Sequence, residues 1–76
     1  MNIKVIFFAG VREAMGKPET RLALVENATV ADAWDRTGGQ CLRGNVLCAV
    51  NEEYADRDHV LKEGDVVAFF PPVTGG

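Results

Sequence analysis

The distribution of apolar residues along the chain predicts a strand at each end. Residues 3–9 are almost continuously apolar, rich in β-branched and aromatic types, and end at Gly10, a pattern typical of a strand buried on most of both faces. We therefore predict that this strand lies centrally in a sheet. Residues 11–15 can form one helical turn, residues 16–18 break it, and residues 21–25 are predicted to return as the second strand of a hairpin.

One segment carries the pattern of an amphipathic helix. Thr29 is a predicted N-cap with Asp32 three residues later, and Gly38 and Gly39 are predicted to stop the helix. The apolar residues Val30, Ala33 and Trp34, together with Thr37, fall on one helical face. An aromatic ring at this spacing is more often core than ligand site, so Trp34 is predicted to fill the space between helix and sheet.

The second half of the chain predicts three further strands. Residues 46–50 form the third strand, residues 51–53 a turn, Tyr54 begins a short fourth strand, and residues 66–70 form the fifth. Two strands, a helix and three strands favour an α+β fold, specifically a β-grasp fold with a mixed five-stranded sheet around one main helix. Residues 1–70 are predicted as the domain and residues 71–76 as an extended tail.

The composition and charge of the chain argue against nucleic-acid, membrane and metal binding. The 76 residues include 8 Lys and Arg against 11 Asp and Glu, for a net charge of −3, and no basic cluster suits nucleic acid. No apolar run reaches the roughly 20 residues of a membrane span, so a cytoplasmic protein is expected. Cys41, Cys48 and His59 lack metal-ligand spacing. The two thiols are expected to be small hydrophobes, with a disulfide left open by their spacing.

The C-terminal sequence contains the candidate reactive group. Gly75 and Gly76 lack side chains and could enter a narrow channel. Pro71 and Pro72 would end the last strand and stiffen a tail that reaches roughly 20 Å. A free carboxylate needs activation before it reacts as an electrophile, and no phosphate-binding loop occurs in the chain. The domain is therefore predicted to be a substrate of other enzymes.

Period-two alternation predicts an exposed aromatic surface. If Lys4 faces solvent, then Ile6 and Phe8 share its face of the sheet. If Phe69 points inward, its neighbour Phe70 points outward. Two exposed aromatic rings on a small sheet indicate a protein interface.

Both ends of the chain resemble a known family. Residues 3–9 with residues 11–13, and above all residues 64–76 with the terminal sequence Phe-Phe-Pro-Pro-Val-Thr-Gly-Gly, closely resemble the small subunits of molybdopterin synthase. The resemblance covers almost the whole chain and is weakest over residues 38–45. It implies a ubiquitin-like sulfur carrier whose Gly76 is adenylated and then converted to a thiocarboxylate, which donates sulfur to cyclic pyranopterin monophosphate for the molybdopterin dithiolene.

The same resemblance implies partners and site residues. An activating adenylyltransferase would use ATP and magnesium, with no cofactor bound stably by the carrier itself, and a sulfurtransferase would supply sulfur. The large synthase subunit would receive the tail in a two-plus-two heterotetramer. Tail insertion would involve Pro72, Val73, Thr74 and Gly75, and the partner-facing positions would be Phe8, Arg12, Tyr54 and Phe70.

Three alternatives remain open on the sequence. A sulfur carrier for the thiamine thiazole has a similar fold and Gly-Gly end but usually lacks the Phe-Phe-Pro-Pro segment. A ubiquitin-like modifier would form an isopeptide bond through Gly76. A plain β-grasp binding module would use the sheet face alone, with no chemistry at its terminus.

Overall fold

The fold is a five-stranded mixed sheet with two short helices. The computed structural model describes residues 1–38 and 46–72. Its elements are β1 (Asn2–Phe7), α1 (Ala9–Met15), β2 (Glu19–Ala23), α2 (Val30–Thr37), β3 (Leu47–Val50), β4 (Glu53–Tyr54) and β5 (Val66–Phe70). The strand order is β2-β1-β5-β3-β4, and only the β1–β5 pair is parallel. The predicted α+β class and five-stranded mixed sheet are confirmed.

The prediction for β1 is wrong in two respects. The central strand of the sheet is β5, which pairs with β1 on one side and with β3 on the other. Only alternate residues of β1 are buried, namely Ile3, Val5 and Phe7, whereas Lys4 and Ile6 are partly exposed. Both helices contribute their buried residues to a core on one face of the sheet, so β1 is buried on that face alone.

The hairpin prediction is confirmed with shifted bounds. β2 pairs antiparallel with β1 from Glu19 to Ala23, two residues before the predicted start. The preceding helix α1 is also longer than the single turn predicted over residues 11–15. It ends at Gly16, whose φ of 75° is the left-handed conformation that glycine adopts without a Cβ clash.

The start of α2 is fixed by the predicted capping residues. The backbone N–H of Thr29 donates to Asp32 Oδ2 at 2.8 Å, and the backbone N–H of Asp32 donates to Thr29 Oγ1 at 3.3 Å. This reciprocal capping box satisfies two N–H groups that the first turn leaves without helical partners. The predicted stop is confirmed at Gly38, which takes a φ of 82° just after the last helical residue. Gly39 lies outside the described residues.

Removing this cap should destabilise the domain modestly. We expect Thr29→Ala to lower the free energy of unfolding by about 1 kcal/mol, because the Asp32 N–H loses its acceptor. Urea denaturation of both proteins measures the difference. Asp35→Ala, on the exposed surface of the same helix, is the control and should change stability by less than about 0.5 kcal/mol. Equal losses in the two variants would contradict a specific capping role.

The core is a single apolar cluster between the helices and the sheet. Trp34 of α2 packs on Phe69 of β5 with ring centroids 4.6 Å apart, and Phe69 lies 6.5 Å from Phe7 of β1. All three side chains are buried. The prediction that Trp34 fills the space between helix and sheet is confirmed. Because Phe69 is the inward residue at the end of β5, the core also determines which way its neighbour Phe70 points.

Candidate functional site: the outer sheet face

The face of the sheet opposite the core is mostly apolar. Strand pairing places Lys4 beside both Arg21 and Val66, and Ile6 beside Ala68. We call this surface the outer sheet face; it consists of Lys4, Ile6, Glu19, Arg21, Leu47, Ala49, Tyr54, Val66, Ala68 and Phe70. Apolar residues in these positions are partly or largely accessible to solvent. Such a contiguous apolar surface on a small domain indicates a binding surface.

Four large apolar side chains cluster where β5 ends, and we call them the aromatic patch: Phe8, Leu47, Tyr54 and Phe70. The rings of Tyr54 and Phe70 are 5.8 Å apart at an angle of 57°, and Leu47 is the direct cross-strand neighbour of Phe70. Phe8 is 49% exposed, Leu47 36% and Tyr54 77%. The predicted outward orientation of Phe8 and Phe70 is confirmed, and Phe70 is half-buried by its neighbours.

The backbone after β1 determines where Phe8 lies. Its N–H donates to the carbonyl of Phe69 at 3.1 Å, which extends the β1–β5 pairing by one residue. Ala9 then takes a φ of 49°, a left-handed conformation that costs free energy for a residue with a Cβ. This turn starts α1 directly after Phe8. The Phe8 ring therefore projects from the end of the strand beside β5.

Arg12 lies one helical turn after Phe8. Its backbone N–H donates to the carbonyl of Phe8 at 3.2 Å, and its side chain is exposed on α1. The structure therefore brings all four predicted interface residues to the end of the sheet from which the chain leaves β5. An exposed arginine is thereby held one helical turn from Phe8, and arginine is enriched at protein interfaces.

The predicted tail starts at the aromatic patch. Pro71, which directly follows Phe70, is half-buried, and Pro72 is exposed. Neither proline has an N–H to continue the β5 ladder, so pairing ends at Phe70. The predicted tail residues Val73, Thr74, Gly75 and Gly76 lie outside the described residues, as does Cys41.

Leu47 was not identified from the sequence as an interface residue. Its exposure follows from the alternation in β3, where Cys48 and Val50 are buried and Leu47 and Ala49 point the other way. A leucine in a short apolar run is easily assigned to the core. The usable signal was its position one residue before the buried Cys48, which places Leu47 on the outer sheet face.

Cys48 belongs to the core and not to the site. It is buried, and its thiol donates to the carbonyl oxygen of Ala55 at 2.9 Å. Burial raises the pKa of this thiol, an effect opposed by the nearby Arg57 cation and reinforced by Asp56. A protonated, buried thiol is a poor nucleophile. The structure thus agrees with the prediction that Cys48 acts as a small hydrophobe.

Residues 1–38 and 46–72 contain no cluster of three or more His, Cys, Asp or Glu side chains that could hold a metal ion. None of the helices in this part of the chain is long and apolar enough to cross a bilayer.

Comparisons with known proteins identify the family. The ThiS family profile matches residues 5–76. The Escherichia coli molybdopterin synthase sulfur carrier subunit is 44% identical, with 97% of this chain and 99% of that protein covered. A candidate molybdopterin converting factor subunit 1 from Pyrococcus furiosus has a TM-score of 0.82 at 34% identity, covering 96% and 99% of the two chains.

A third similarity is to a protein named for a different activity. The small archaeal modifier protein 1 of Haloferax volcanii has a TM-score of 0.83 at 27% identity, covering 95% of this chain and 98% of that one. The predicted β-grasp fold and the predicted resemblance to molybdopterin synthase small subunits are both confirmed. On the match to residues 5–76 and the 44% identity over nearly its whole length, this chain belongs to the ThiS family.

Proposed function

We propose that this protein is the sulfur carrier subunit of a molybdopterin synthase and that Gly76 carries the sulfur. The observation that carries the proposal is the 44% identity over 97% of the chain to a protein with that name. The geometry supports it, because the segment that leads to Gly76 leaves the domain beside the aromatic patch. A partner that covers the patch would receive the tail at the same time.

The proposed chemistry begins at the Gly76 carboxylate. An activating adenylyltransferase uses ATP and magnesium, the carboxylate attacks the α-phosphorus, and pyrophosphate leaves. The persulfide sulfur of a sulfurtransferase then attacks the acyl carbon and displaces AMP. A thiol cleaves the resulting acyl disulfide, which releases the thiocarboxylate and leaves a disulfide on the enzyme. The domain binds none of these reagents in the proposal. It presents the terminus to each enzyme in turn.

Delivery would take place on the large subunit of molybdopterin synthase. In the proposal Phe8, Arg12, Tyr54 and Phe70 contact that subunit, while residues 72–75 thread toward its active site. The thiocarboxylate sulfur then attacks cyclic pyranopterin monophosphate, and water cleaves the resulting thioester, which leaves the sulfur on the substrate and restores the Gly76 carboxylate. A second loaded carrier supplies the second sulfur of the dithiolene. A tethered and oriented donor gives a high effective concentration at the acceptor. We place the complex in the cytoplasm as a two-plus-two heterotetramer.

Intact mass spectrometry tests the proposed cargo. The protein is incubated with the activating adenylyltransferase, ATP, magnesium and a sulfur source. We expect the mass to change by the exchange of one oxygen for one sulfur, with the change located in the C-terminal peptide. Reactions without ATP serve as the control and should leave the mass unchanged. An unchanged mass in the complete reaction, with active enzymes, would contradict the sulfur-carrier proposal.

A ubiquitin-like modifier is the second candidate function. It is favoured by the similarity to small archaeal modifier protein 1, at a TM-score of 0.83. Adenylation of Gly76 would be common to both functions, but a modifier passes its acyl group to a lysine amine. Affinity purification of the tagged protein from its own cells separates the two. Gly76 joined to lysines by isopeptide bonds supports a modifier, and a free thiocarboxylate supports a carrier.

A further inference from the structure

The outer sheet face also carries a basic pair at the end opposite the aromatic patch. Lys4 of β1 and Arg21 of β2 are direct cross-strand partners on the same face. Like charges placed opposite each other on neighbouring strands destabilise a sheet. A domain with a net charge of −3 thus places two cations as neighbours on a mostly apolar face.

The two cations differ in how they are neutralised. Lys4 Nζ lies 3.5 Å from Glu19 Oε2. Among the described residues, the Arg21 guanidinium has no carboxylate within the 4.0 Å of an ion pair. The nearby Glu63 carboxylate accepts a hydrogen bond from the Asn2 backbone N–H at 3.0 Å. Arg21 is therefore the cation of this region that is available to a partner.

A groove beside the basic pair provides the space for such a contact. It has a volume of about 610 Å³, and Lys4, Arg21, Glu63 and Val66 are among the residues that line it. A guanidinium binds a carboxylate through two parallel hydrogen bonds, with a geometry that an ammonium group does not offer. An acidic side chain on a partner surface would fit both the open groove and the exposed Arg21.

The position of this groove connects it to the proposed docking surface. Val66, which pairs with Lys4, is the first residue of β5, and Phe70 is the last. Phe70 lies four residues along the strand from Val66, about 13 Å at the usual rise. Between them lie the apolar residues Ile6 and Ala68 on the same face. One partner could therefore contact the aromatic patch and the basic pair together.

We propose that Arg21 is an orientation anchor that binds an Asp or Glu side chain on the large synthase subunit, an inference that rests on the proposed function. An apolar patch alone allows the domain to rotate on its partner. A directional ion pair at Arg21, two strands across the sheet and about 13 Å along it from Phe70, removes that freedom. It thereby fixes the direction in which residues 71–76 leave the domain toward the active site. The proposal makes Arg21 a positioning residue, because it touches no reacting atom.

The test is Arg21→Glu, with binding and stability measured on the same protein. Binding to the large subunit should weaken by about tenfold or more, since two carboxylates then face each other. The weakening should shrink as salt is raised. The isolated domain should keep its thermal stability, because Arg21 is exposed and forms no ion pair among the described residues. A purely structural role for Arg21 predicts a loss of stability and no specific loss of affinity.

Arg36→Glu is the matched control for charge. Arg36 is exposed on α2, which packs on the other face of the sheet, so its reversal should leave affinity within about twofold. Arg21→Gln removes the cation without adding a negative charge, should weaken binding less, and replaces Arg21→Glu if that variant misfolds. If the parent protein binds and neither Arg21 variant weakens binding more than Arg36→Glu does, the proposed role of Arg21 as an orientation anchor is contradicted. If the parent protein itself fails to bind, the proposed function is at fault.

Discussion

Deleting Gly76 is expected to abolish sulfur transfer while leaving the domain folded. The proposed chemistry takes place at the carboxylate of Gly76, and without this residue the new terminus would be one residue too short to reach the same acceptor. Gly76 follows the last described residue, Pro72, by four positions. The core lies within residues 3–69, so the deletion removes none of it. Product formation with the large subunit and cyclic pyranopterin monophosphate measures the loss.

Adding one alanine after Gly76 should be equally damaging. The carboxylate of Gly76 would become an ordinary peptide carbonyl, and the new terminus would carry a Cβ into a channel suited to glycine. Thermal unfolding and binding to the large subunit should both stay close to those of the parent protein. Full sulfur transfer by either variant would refute a role for the Gly76 carboxylate. It would favour instead a module that works through its sheet face alone.

Local alternation in the sequence was sufficient to place the candidate interface. Lys4, Ile6 and Phe8 were assigned to one face of the sheet, and Phe69 and Phe70 to opposite faces, from the period of a strand alone. The structure confirms each assignment. Capping of α2 was also predictable, because the Thr29 and Asp32 side chains act within one helical turn. These features depend on neighbours in the sequence, which a single sequence displays.

The burial of β1 could not be predicted in the same way. Residues 3–9 are apolar at nearly every position. A strand buried on both faces has this pattern, and so does a strand with one buried face and one exposed apolar face that binds a partner. The difference lies in what covers the second face, and that depends on the packing of α1 and α2. The wrong prediction is informative in itself. Ile6 and Phe8 are apolar without being core residues, as expected of a surface that binds a partner.

The central position of β5 in the sheet could not be predicted from the sequence either. Its centre position results from a parallel pairing with β1, more than sixty residues away along the chain, and no local pattern encodes such a pairing. Parallel pairing matters for the site because β1 and β5 then end at the same edge of the sheet. Phe8 and Phe70 therefore both lie at the edge of the sheet where the tail begins.

Adjacent phenylalanines on opposite faces of β5 allow the fold and the interface to be tested separately. Phe69 is buried against Phe7 and Trp34, whereas Phe70 contacts Tyr54 on the outer sheet face. We expect Phe69→Ala to lower the free energy of unfolding by about 3–5 kcal/mol, the usual cost of a cavity left by a buried aromatic ring. Small domains have about 5–15 kcal/mol in total. Chemical denaturation should therefore show a domain close to unfolding.

Phe70→Ala should affect the complex instead of the fold. We expect a stability loss of about 1 kcal/mol or less, since this half-buried ring lies on the outer sheet face and outside the core cluster. Affinity for the large subunit should fall by about tenfold or more, as is typical when an aromatic anchor is truncated at an interface. Calorimetric titration gives the affinity of each variant for the large subunit, and chemical denaturation gives its free energy of unfolding. Similar stability losses in the two variants would place Phe70 in the core and remove the aromatic patch as the docking surface.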